Sequence, residues 1–221
     1  MKKKSIDKKH QTALNDLVNY LKNSRFLNDK KVEDAFRNIP RHEFVPSSEL
    51  GYAYYNEPLS IKKNQTISQP AVVSRMTEWL DVREGQKILE IGTGSGWQTA
   101  ILSYLVGSGI IYSIEIRPEL VKFARENLEK FGIDNVNVIL NDGSIGYPEA
   151  SLYDRIMITA ACSEIPLPLL DQLVDGGLLI APIGDSSQSL VLLQKTKKGI
   201  IEIKHESHYV FVPLLGKFGK K

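Results

Sequence analysis

Hydrophobic and polar positions in the first part of the chain follow the period of an α-helix. A helix is predicted over residues 6–22 because its apolar residues lie three or four positions apart, namely Leu14, Leu17, Val18 and Leu21. Further helices are predicted over residues 31–38 and 70–80, the latter with a proline in its first turn. Residues 41–68 show no sustained period and predict an irregular connection, and so long a loop in a compact domain is usually functional.

From residue 87 onward, short apolar runs alternate with helical segments. The pattern predicts strands over residues 87–91, 110–114, 136–140, 154–159 and 178–181, and helices over residues 97–106, 118–131 and 167–173. This alternation is typical of a doubly wound, mainly parallel sheet in an α/β fold. The last part of the chain has strand-like runs over residues 190–195, 200–205 and 208–212. A hairpin at the sheet edge would account for the first two, since Lys197, Lys198 and Gly199 lie between them.

Composition narrows the class of protein. With 221 residues and 42% hydrophobic content, the chain suits a single domain with a sizeable core. The net charge is only +2, and lysines concentrate at the two ends, which favours solvated tails and predicts no nucleic-acid partner. No apolar run reaches the length of a membrane span, and the lysine-rich start is not a secretory signal. We therefore expect a cytoplasmic protein without a membrane partner, favoured as a monomer.

Cysteine usage argues against metal and disulfide chemistry. Cys162 is the single cysteine, so an internal disulfide and a cysteine-cluster metal site are both excluded. Its position at the end of an apolar run favours a small packed residue over a nucleophile. His205 and His208 lack a third partner at ligand spacing, and no metal site is predicted.

The clearest chemical signal is the glycine run after the strand at residues 87–91. Glu90 is followed by Gly92, Thr93, Gly94, Ser95 and Gly96, whose glycines allow a sharp turn and a close approach to a ligand. A dinucleotide fingerprint would place its third glycine where Trp97 stands. The Glu-x-Gly-x-Gly-x-Gly pattern instead resembles the first motif of S-adenosylmethionine-dependent methyltransferases. That cofactor has no phosphate, and a carboxylate at Glu90 would favour its ammonium group, directly or through water. A plain structural turn is the alternative.

Two later strand ends add polar groups at the same edge of the sheet. Glu115 ends the second strand and can accept hydrogen bonds from both ribose hydroxyls, although a carboxylate at a helix start is the competing interpretation. Asp142 follows the third strand and can accept from an adenine amino group, while Gly143 leaves room for the base. Asp-Gly is also a strong turn dipeptide, so a turn remains an alternative there.

The end of the fourth strand bears on the substrate. Residues 158–161 lack the Asn/Asp-Pro-Pro-aromatic element of enzymes that methylate base amines, which argues against that substrate class.

Taken together, residues 39–215 resemble one family, the protein-L-isoaspartate O-methyltransferases, which repair damaged aspartyl and asparaginyl sites. The resemblance is carried by residues 65–70, 76–78, 89–96, 98–100, 112–115, 142–143 and 211–214, with Arg41 and residues 44–46, 55–56 and 58–59. It implies a Rossmann-like S-adenosylmethionine-dependent methyltransferase, with N-terminal helices and a substrate and cofactor loop over residues 1–84, a cofactor-binding core over residues 85–195, and C-terminal strands over residues 196–221.

The resemblance also implies roles for individual residues. Ser68 would be the catalytic residue, orienting the free α-carboxylate of an L-isoaspartyl residue toward the sulfonium methyl group. The cofactor set would be Thr66, Ile67, Ser68, Glu90, Gly92, Thr93, Gly94, Ser95, Gly96, Glu115, Asp142 and Gly143. The substrate set would be Thr66, Ser68, Val212 and Leu214. Alternatives are an N-cap role for Ser68 and ordinary core positions for Val212 and Leu214.

Other functions are distinguishable in principle. A nicotinamide-dependent oxidoreductase is disfavoured by Trp97, and a non-catalytic S-adenosylmethionine or peptide binder would bind without methyl turnover. A methyltransferase for small acids or RNA would keep the fold and change the acceptor. The expected reaction needs no general base, because a carboxyl group with a pKa of about 4 is ionised at neutral pH.

Overall fold

The computed structural model describes residues 6–220. The lysines at positions 2–4 and 221, which we expect to be solvated, lie outside the described residues. The helices are α1 (Lys8–Asn23), α2 (Lys30–Asn38), α3 (Pro70–Leu80), α4 (Trp97–Val106), α5 (Pro118–Lys130) and α6 (Leu167–Asp171). The strands are β1 (Leu59–Ser60), β2 (Thr66–Ile67), β3 (Lys87–Ile91), β4 (Ile110–Glu115), β5 (Val136–Leu140), β6 (Tyr153–Ile158), β7 (Leu173–Ile183), β8 (Gln188–Thr196) and β9 (Gly199–Tyr209).

The main sheet has the strand order β5-β4-β3-β6-β7-β8-β9. Strands β3 to β7 run parallel, whereas β8 and β9 are antiparallel to their neighbours and form the predicted edge hairpin. The predicted Rossmann-like α/β fold is thereby confirmed. Because β3 lies between β4 and β6, where the strand order reverses, the carboxyl ends of these strands define the usual ligand-binding crevice of such sheets.

An aromatic contact is one of the links between the N-terminal helices and the core. Asp7 and Asp29 cap α1 and α2 with their side chains. On α2, Phe36 lies edge-on to Trp97 of α4, with ring centroids 5.4 Å apart. The Trp97 indole nitrogen donates to the Ile39 carbonyl oxygen at 3.1 Å. The bulky residue at position 97 therefore fastens α2 to the start of α4.

The long connection between α2 and α3 contains local structure that its sequence did not predict. Short 3-10 helices span Arg41–Phe44 and Ser47–Tyr52, and β1 and β2 form a small antiparallel ribbon in which Leu59 pairs with Ile67. Ile61 extends the ribbon, since its N–H donates to the Gln65 carbonyl at 2.8 Å. The connection carries Ser68 directly before α3.

Two predicted boundaries after residue 160 are wrong. The helix expected over residues 167–173 ends at Asp171, and the strand expected over residues 178–181 spans Leu173–Ile183. Gly176, with a φ of 82°, lets β7 continue through a polar stretch whose sequence is typical of a turn. The pairing of β7 with β6 shifts its register at this point.

The C-terminal strands also differ from expectation. The runs expected over residues 200–205 and 208–212 form one strand up to Tyr209, because register shifts against β8 and a φ of 75° at His208 absorb the interruption. Beyond it, Pro213 bridges to Ala161 in parallel. Every helix within residues 6–220 is too short or too polar to cross a bilayer.

Candidate active site

The glycine turn between β3 and α4 is shaped by close contacts that exclude side chains. Gly92 has a φ of 96°, and a Cβ atom there would lie 2.3 Å from Thr159 Oγ1. That hydroxyl donates to the carbonyls of Ile91 and Gly92 at 2.9 and 2.8 Å, so the residue after β6 fixes the start of the turn. Only glycine fits this combination of backbone conformation and contact.

The other two glycines of the turn have different surroundings. Gly96 is the N-cap of α4, where a Cβ atom would lie 3.4 Å from Ala124 on α5. A Cβ atom on Gly94 would instead meet one atom within 4 Å, Ile61 Cδ1 at 3.9 Å. At Gly96 the turn therefore packs against α5. At Gly94 the adjoining space is open, so a ligand can approach the backbone there.

Glu115 presents its carboxylate to this space in a fixed orientation. The side chain is 6% exposed, and its oxygens accept from the backbone N–H groups of Gly94 and Arg117, each at 3.0 Å. A carboxylate has about four acceptor positions, so two remain for the hydroxyls of a ribose. The helix-start interpretation also describes Glu115, because the Arg117 N–H that it accepts from belongs to the N-cap residue of α5, and the predicted ribose contact stays a prediction.

A cleft lies over the glycine turn and meets most of the predicted cofactor residues. Its lining includes the predicted residues Thr66, Ile67, Ser68, Gly92, Thr93, Gly94, Ser95, Glu115 and Gly143. The lining also contains Ile116, which is 39% exposed, together with Met76 and Leu120. These apolar residues were not predicted as site residues. In the sequence, the isoleucine directly after Glu115 is the signal that could have indicated an apolar surface for an adenine ring.

Glu90 does not line the cleft and is fully buried. Its Oε2 accepts from the hydroxyls of Thr99 and Ser113, both at 2.5 Å, while Oε1 has no partner within residues 6–220. The Ser113 hydroxyl also lies 2.6 Å from that of Thr93, which does line the cleft. Burial raises the pKa of Glu90 to about 7. Glu90 is thus linked to the cleft through two hydroxyls, so a role toward the cofactor would be indirect.

Asp142 and Gly143 occupy the end of β5 in different ways. Gly143 lines the cleft, and a Cβ atom there would lie 2.6 Å from Ile91 Cγ2. Asp142 is not in the lining; its carboxylate accepts from the Ser144 N–H at 2.8 Å and from the Lys217 N–H at 2.7 Å. The turn interpretation thus describes one function of Asp142, and its predicted adenine contact stays a prediction.

A second cavity adjoins the cofactor cleft at four residues that line both spaces, namely Thr66, Ser68, Thr159 and Val212. The second cavity continues along Phe26, Pro58 and Val72 on one side and residues 206–211 on the other. Sequence analysis did not predict this space. It lies between the loop that precedes α3 and the end of β9, directly next to the cofactor cleft.

Ser68 stands at this junction with a free hydroxyl group. The N-cap of α3 is Gln69, and the Ala71 N–H in the first turn donates to the Asn56 side chain, so the N-cap interpretation of Ser68 is wrong. Its hydroxyl forms no hydrogen bond with any other side chain or backbone group of residues 6–220. The hydroxyl is therefore available to a ligand in either space.

The four residues that line both spaces have uncharged side chains. The charged residues of the two linings are Glu115 and Arg117 in the cofactor cleft and Glu206 in the second cavity, where Arg75 forms an ion pair with Glu206 at 3.2 Å. The guanidinium group of Arg41 lies behind the junction, 2.9 Å from the Ser68 carbonyl oxygen, and lines neither space. Burial raises the pKa of the Cys162 thiol to about 11, which disfavours a thiolate. Within residues 6–220 no three His, Cys, Asp or Glu side chains gather as a metal site requires. The arrangement suits an acceptor that is already ionised.

The C-terminal segment contributes to both the core and the cleft. Ala161 donates to the Val212 carbonyl at 2.8 Å, and Leu214 donates to the Ala161 carbonyl at 2.7 Å. Leu214 is 4% exposed and lines the cleft, whereas Val212 is partly buried and lines both spaces. The core interpretation of these residues is correct for Leu214 and does not exclude contact with a substrate.

Comparisons with known proteins identify similar chains. A family model described as protein-L-isoaspartate(D-aspartate) O-methyltransferase matches residues 12–219. A protein-L-isoaspartate O-methyltransferase of Pyrococcus horikoshii is 47% identical over 204 residues, which are 91% of this chain and 92% of that protein. A solved structure of a protein-L-isoaspartate O-methyltransferase has a TM-score of 0.84 and 31% identity, covering 93% of this chain and 67% of the other.

A second solved structure was obtained with a ligand. It is a crystal structure of a putative protein-L-isoaspartate O-methyltransferase from Plasmodium falciparum in complex with S-adenosyl-L-homocysteine. Its TM-score is 0.81 and its identity 25%, with 93% of this chain and 98% of that chain covered. The family match over residues 12–219 includes the glycine turn, the loop that carries Ser68 and the C-terminal segment.

Proposed function

The chain belongs to the protein-L-isoaspartate(D-aspartate) O-methyltransferase family, and from this we propose that it methylates the free α-carboxylate of L-isoaspartyl residues in damaged proteins and peptides. The methyl donor is S-adenosyl-L-methionine, and the product is S-adenosyl-L-homocysteine. The resulting ester cyclises spontaneously to a succinimide, which can open to a normal aspartyl residue. The reaction is a protein repair methylation.

One observation carries the proposal: the free hydroxyl of Ser68 lies where the cofactor cleft meets the second cavity. An isoaspartyl carboxylate that reaches this point from the second cavity would accept a hydrogen bond from Ser68. A neutral hydroxyl orients a carboxylate and weakens it as a nucleophile less than a lysine or arginine would. The uncharged side chains that line the junction therefore suit this acceptor.

The residues of the cofactor cleft fit S-adenosyl-L-methionine. Glu115 has acceptor positions free for a ribose, and Gly94 leaves its backbone open to the methionine part. Ile116 offers an apolar surface, and Gly143 leaves room for the adenine ring. When bound, the cofactor supplies an electrophilic methyl group on a sulfonium, whose loss to the acceptor oxygen leaves a neutral thioether.

The protein contributes orientation and exclusion of water and does not need to move a proton. The acceptor carboxylate is ionised at neutral pH, since its pKa is about 4. Holding the oxygen, methyl carbon and sulfur in line can remove up to about 7 to 11 kcal/mol of the barrier in well-oriented cases. Ser68 aims the acceptor, and the glycine turn with Glu115 positions the donor. We further assign indirect cofactor roles to Glu90 and Asp142.

The proposed enzyme acts on a peptide, and we favour that acceptor over a small acid because of the second cavity. This cavity extends from Ser68 past Pro58 and Val72 to Val210 at the exposed end of β9, which gives an extended peptide room on both sides of the reacting residue. A peptide backbone could also pair with an exposed strand edge there. We also propose, from the sequence, that the enzyme acts as a cytoplasmic monomer without a nucleic-acid partner.

A paired peptide assay tests the function. Two peptides that differ only in an isoaspartyl or a normal aspartyl linkage are incubated with the enzyme and methyl-labelled S-adenosyl-L-methionine. We expect base-labile methyl incorporation into the isoaspartyl peptide and none above background into its twin. Equal labelling of both, or labelling of a free small acid in preference to the peptide, would contradict the proposal.

A further inference from the structure

Arg41 is a buried arginine at the start of the Arg41–Phe44 helix, with 1% of its surface exposed. Its guanidinium group donates to five backbone carbonyls. The Nη1 atom donates to Ala53 at 2.9 Å and Tyr55 at 3.2 Å, and Nη2 donates to Glu57 at 2.9 Å, Ile67 at 3.4 Å and Ser68 at 2.9 Å. One side chain thus gathers carbonyls from two separate segments of the long connection.

The positive charge of Arg41 has no carboxylate partner among residues 6–220. Within residues 6–220 no carboxylate lies at ion-pair distance, and the guanidinium lies 5.2 Å from the ring centroid of Trp97. Burial lowers the pKa of Arg41 to about 9, which still leaves it charged at neutral pH. Burying a charge that lacks an opposite partner costs several kcal/mol, and a well-packed apolar side chain would often be more stable. Packing alone therefore does not explain an arginine at this position. We attribute its presence to the hydrogen bonds that its guanidinium group donates.

The carbonyls that Arg41 holds belong to the backbone around Ser68. Residues 67 and 68 precede α3, and residues 53–57 face them across the guanidinium. Asn56 joins the same two segments, since its side-chain oxygen accepts from the Ala71 N–H and its carbonyl accepts from the Gln69 side chain, both at 2.9 Å. The Ser68 carbonyl is thus fixed while its hydroxyl is left free.

We propose that Arg41 is a positioning residue for methyl transfer: it sets the backbone of Ser68 through these carbonyls, so that the free hydroxyl is aimed at the acceptor carboxylate. The proposal rests on the proposed function and extends it to a residue that touches neither substrate nor cofactor. A misplacement of about 1 Å can cost roughly 100-fold in rate, so loss of this alignment is expected to be visible in kcat.

Arg41→Lys tests the proposal. A lysine keeps the charge, but its single ammonium group cannot reach carbonyls on both segments at once as the planar guanidinium does. We expect kcat for the isoaspartyl peptide to fall by up to about tenfold, the loss expected when the Ser68 hydroxyl itself is removed, while the Kd for S-adenosyl-L-homocysteine changes less than about threefold. Amide hydrogen exchange in residues 53–57 and 66–69 should become about tenfold faster or more, with little change in β3 and α4.

Arg155→Lys is the matched control. Arg155 is also buried, at 8% exposed, and its guanidinium also donates to backbone carbonyls, those of Leu80 and Asp81. It lies in neither the cofactor cleft nor the second cavity. We expect this variant to lose stability but to keep kcat and the exchange of residues 53–57.

A double-mutant cycle separates positioning from a purely structural role. If Arg41 acts through Ser68, Arg41→Lys should lower kcat by less than about threefold in a Ser68→Ala background. An equal loss in both backgrounds would overturn the proposal. If the wild-type protein shows no isoaspartyl turnover, the proposed function fails, and the exchange measurement alone decides whether Arg41 orders the Ser68 segment.

Folding of the variant needs its own check. If Arg41→Lys does not fold, Arg41→Gln, which keeps a planar group with two N–H donors, replaces it in every measurement. Unfolding of both variants while Arg155→Lys stays folded would show that Arg41 serves folding as a whole, and would overturn a role directed at Ser68. Unchanged amide exchange around residues 66–69 in a folded variant would overturn it too.

Discussion

The two sides of the candidate active site are built in different ways. The cofactor side consists of a continuous glycine turn and the carboxylate of Glu115, which two backbone N–H groups hold in place. The acceptor side is assembled from residues 53–57, 66–69 and 206–214, which are distant in the sequence, and Arg41 joins the first two segments through carbonyls. One side is a local motif, whereas the other depends on tertiary contacts.

The difference corresponds to the charges of the two ligands. The donor is a cation with a diol, and its side of the site provides anionic and acceptor groups. The acceptor is an anion that must remain a good nucleophile, and the residues around Ser68 are neutral, with the positive charge of Arg41 directed at carbonyls instead. The comparison implies that mutations on the cofactor side change binding, while mutations on the acceptor side change turnover.

The largest effect is expected for Glu115→Ala. This change removes the two anchored backbone contacts and both free acceptor positions, and hydrogen bonds to a charged group contribute about 1.5 to 3 kcal/mol each. The Kd for S-adenosyl-L-homocysteine, measured by calorimetry, should rise about 1,000-fold. Glu126→Ala on the exposed face of α5 is the control, because its partner Lys122 is also exposed. A rise below tenfold for Glu115→Ala would remove the ribose contact from the site.

A somewhat smaller effect is expected for the pH dependence of stability through Glu90. Its pKa is about 7 in the folded protein because burial disfavours the charged form, and the usual value is 4.5. The native state therefore binds the proton more tightly than the unfolded chain, and stability falls as pH rises from about 4.5 to 7 by on the order of 3 kcal/mol. Below that range, and above it, Glu90 contributes no further slope.

Urea unfolding without cofactor at pH 4.5 and pH 8 measures this contribution. Glu90→Gln should be more stable relative to wild type at pH 8 than at pH 4.5. Glu33 is the contrasting control: hydrogen bonds from Lys22 and Arg37 lower its pKa to about 2, so Glu33→Gln should be destabilised at neutral pH, and the loss should shrink as pH falls. Parallel pH profiles for wild type and Glu90→Gln would contradict a protonated Glu90.

A third effect separates backbone strain from close contact in the glycine turn. Gly92→Ala places a methyl group 2.3 Å from Thr159 Oγ1 at a φ of 96°. Gly176→Ala has a similar φ of 82° but open space around the new atom, so it measures the cost of conformation alone. We expect about 1 kcal/mol for Gly176→Ala and about 2 kcal/mol more for Gly92→Ala in the free energy of unfolding. Equal losses of stability in the two variants would show that the Thr159 side chain moves away from the added methyl group without cost.

The same comparison shows how far the sequence could predict the molecule. Parallel strands and the glycine turn follow from local patterns, so β3, β4 and the position of Glu115 were correctly predicted. The start of β7 was missed because a Gly-Gly pair lies inside the strand, and glycines normally indicate turns. Sequence patterns therefore predict those features that depend on residues close together in the chain.

Contacts between distant residues could not be predicted in this way. Arg41 lies 27 residues before Ser68, and no spacing rule associates an arginine with the carbonyls that it binds. The second cavity likewise appears only when the end of β9 is placed beside the start of α3. The resemblance to a family pointed to Ser68, but its free hydroxyl and the arginine behind it are properties of the tertiary structure.

The smallest effect is expected at Ser68, the proposed catalytic residue. Ser68→Ala removes one neutral hydrogen bond to the acceptor carboxylate and leaves the Arg41 contacts to the backbone intact, since these involve the Ser68 carbonyl. We expect kcat to fall about tenfold, which corresponds to roughly 1.4 kcal/mol, with the Kd for S-adenosyl-L-homocysteine within about twofold of wild type. Ser60→Ala, on the exposed side of β1, is the control and should leave both constants unchanged. An unchanged kcat for Ser68→Ala would assign the orientation of the acceptor to the walls of the second cavity, whereas a weakened Kd alone would move Ser68 to the cofactor side of the comparison.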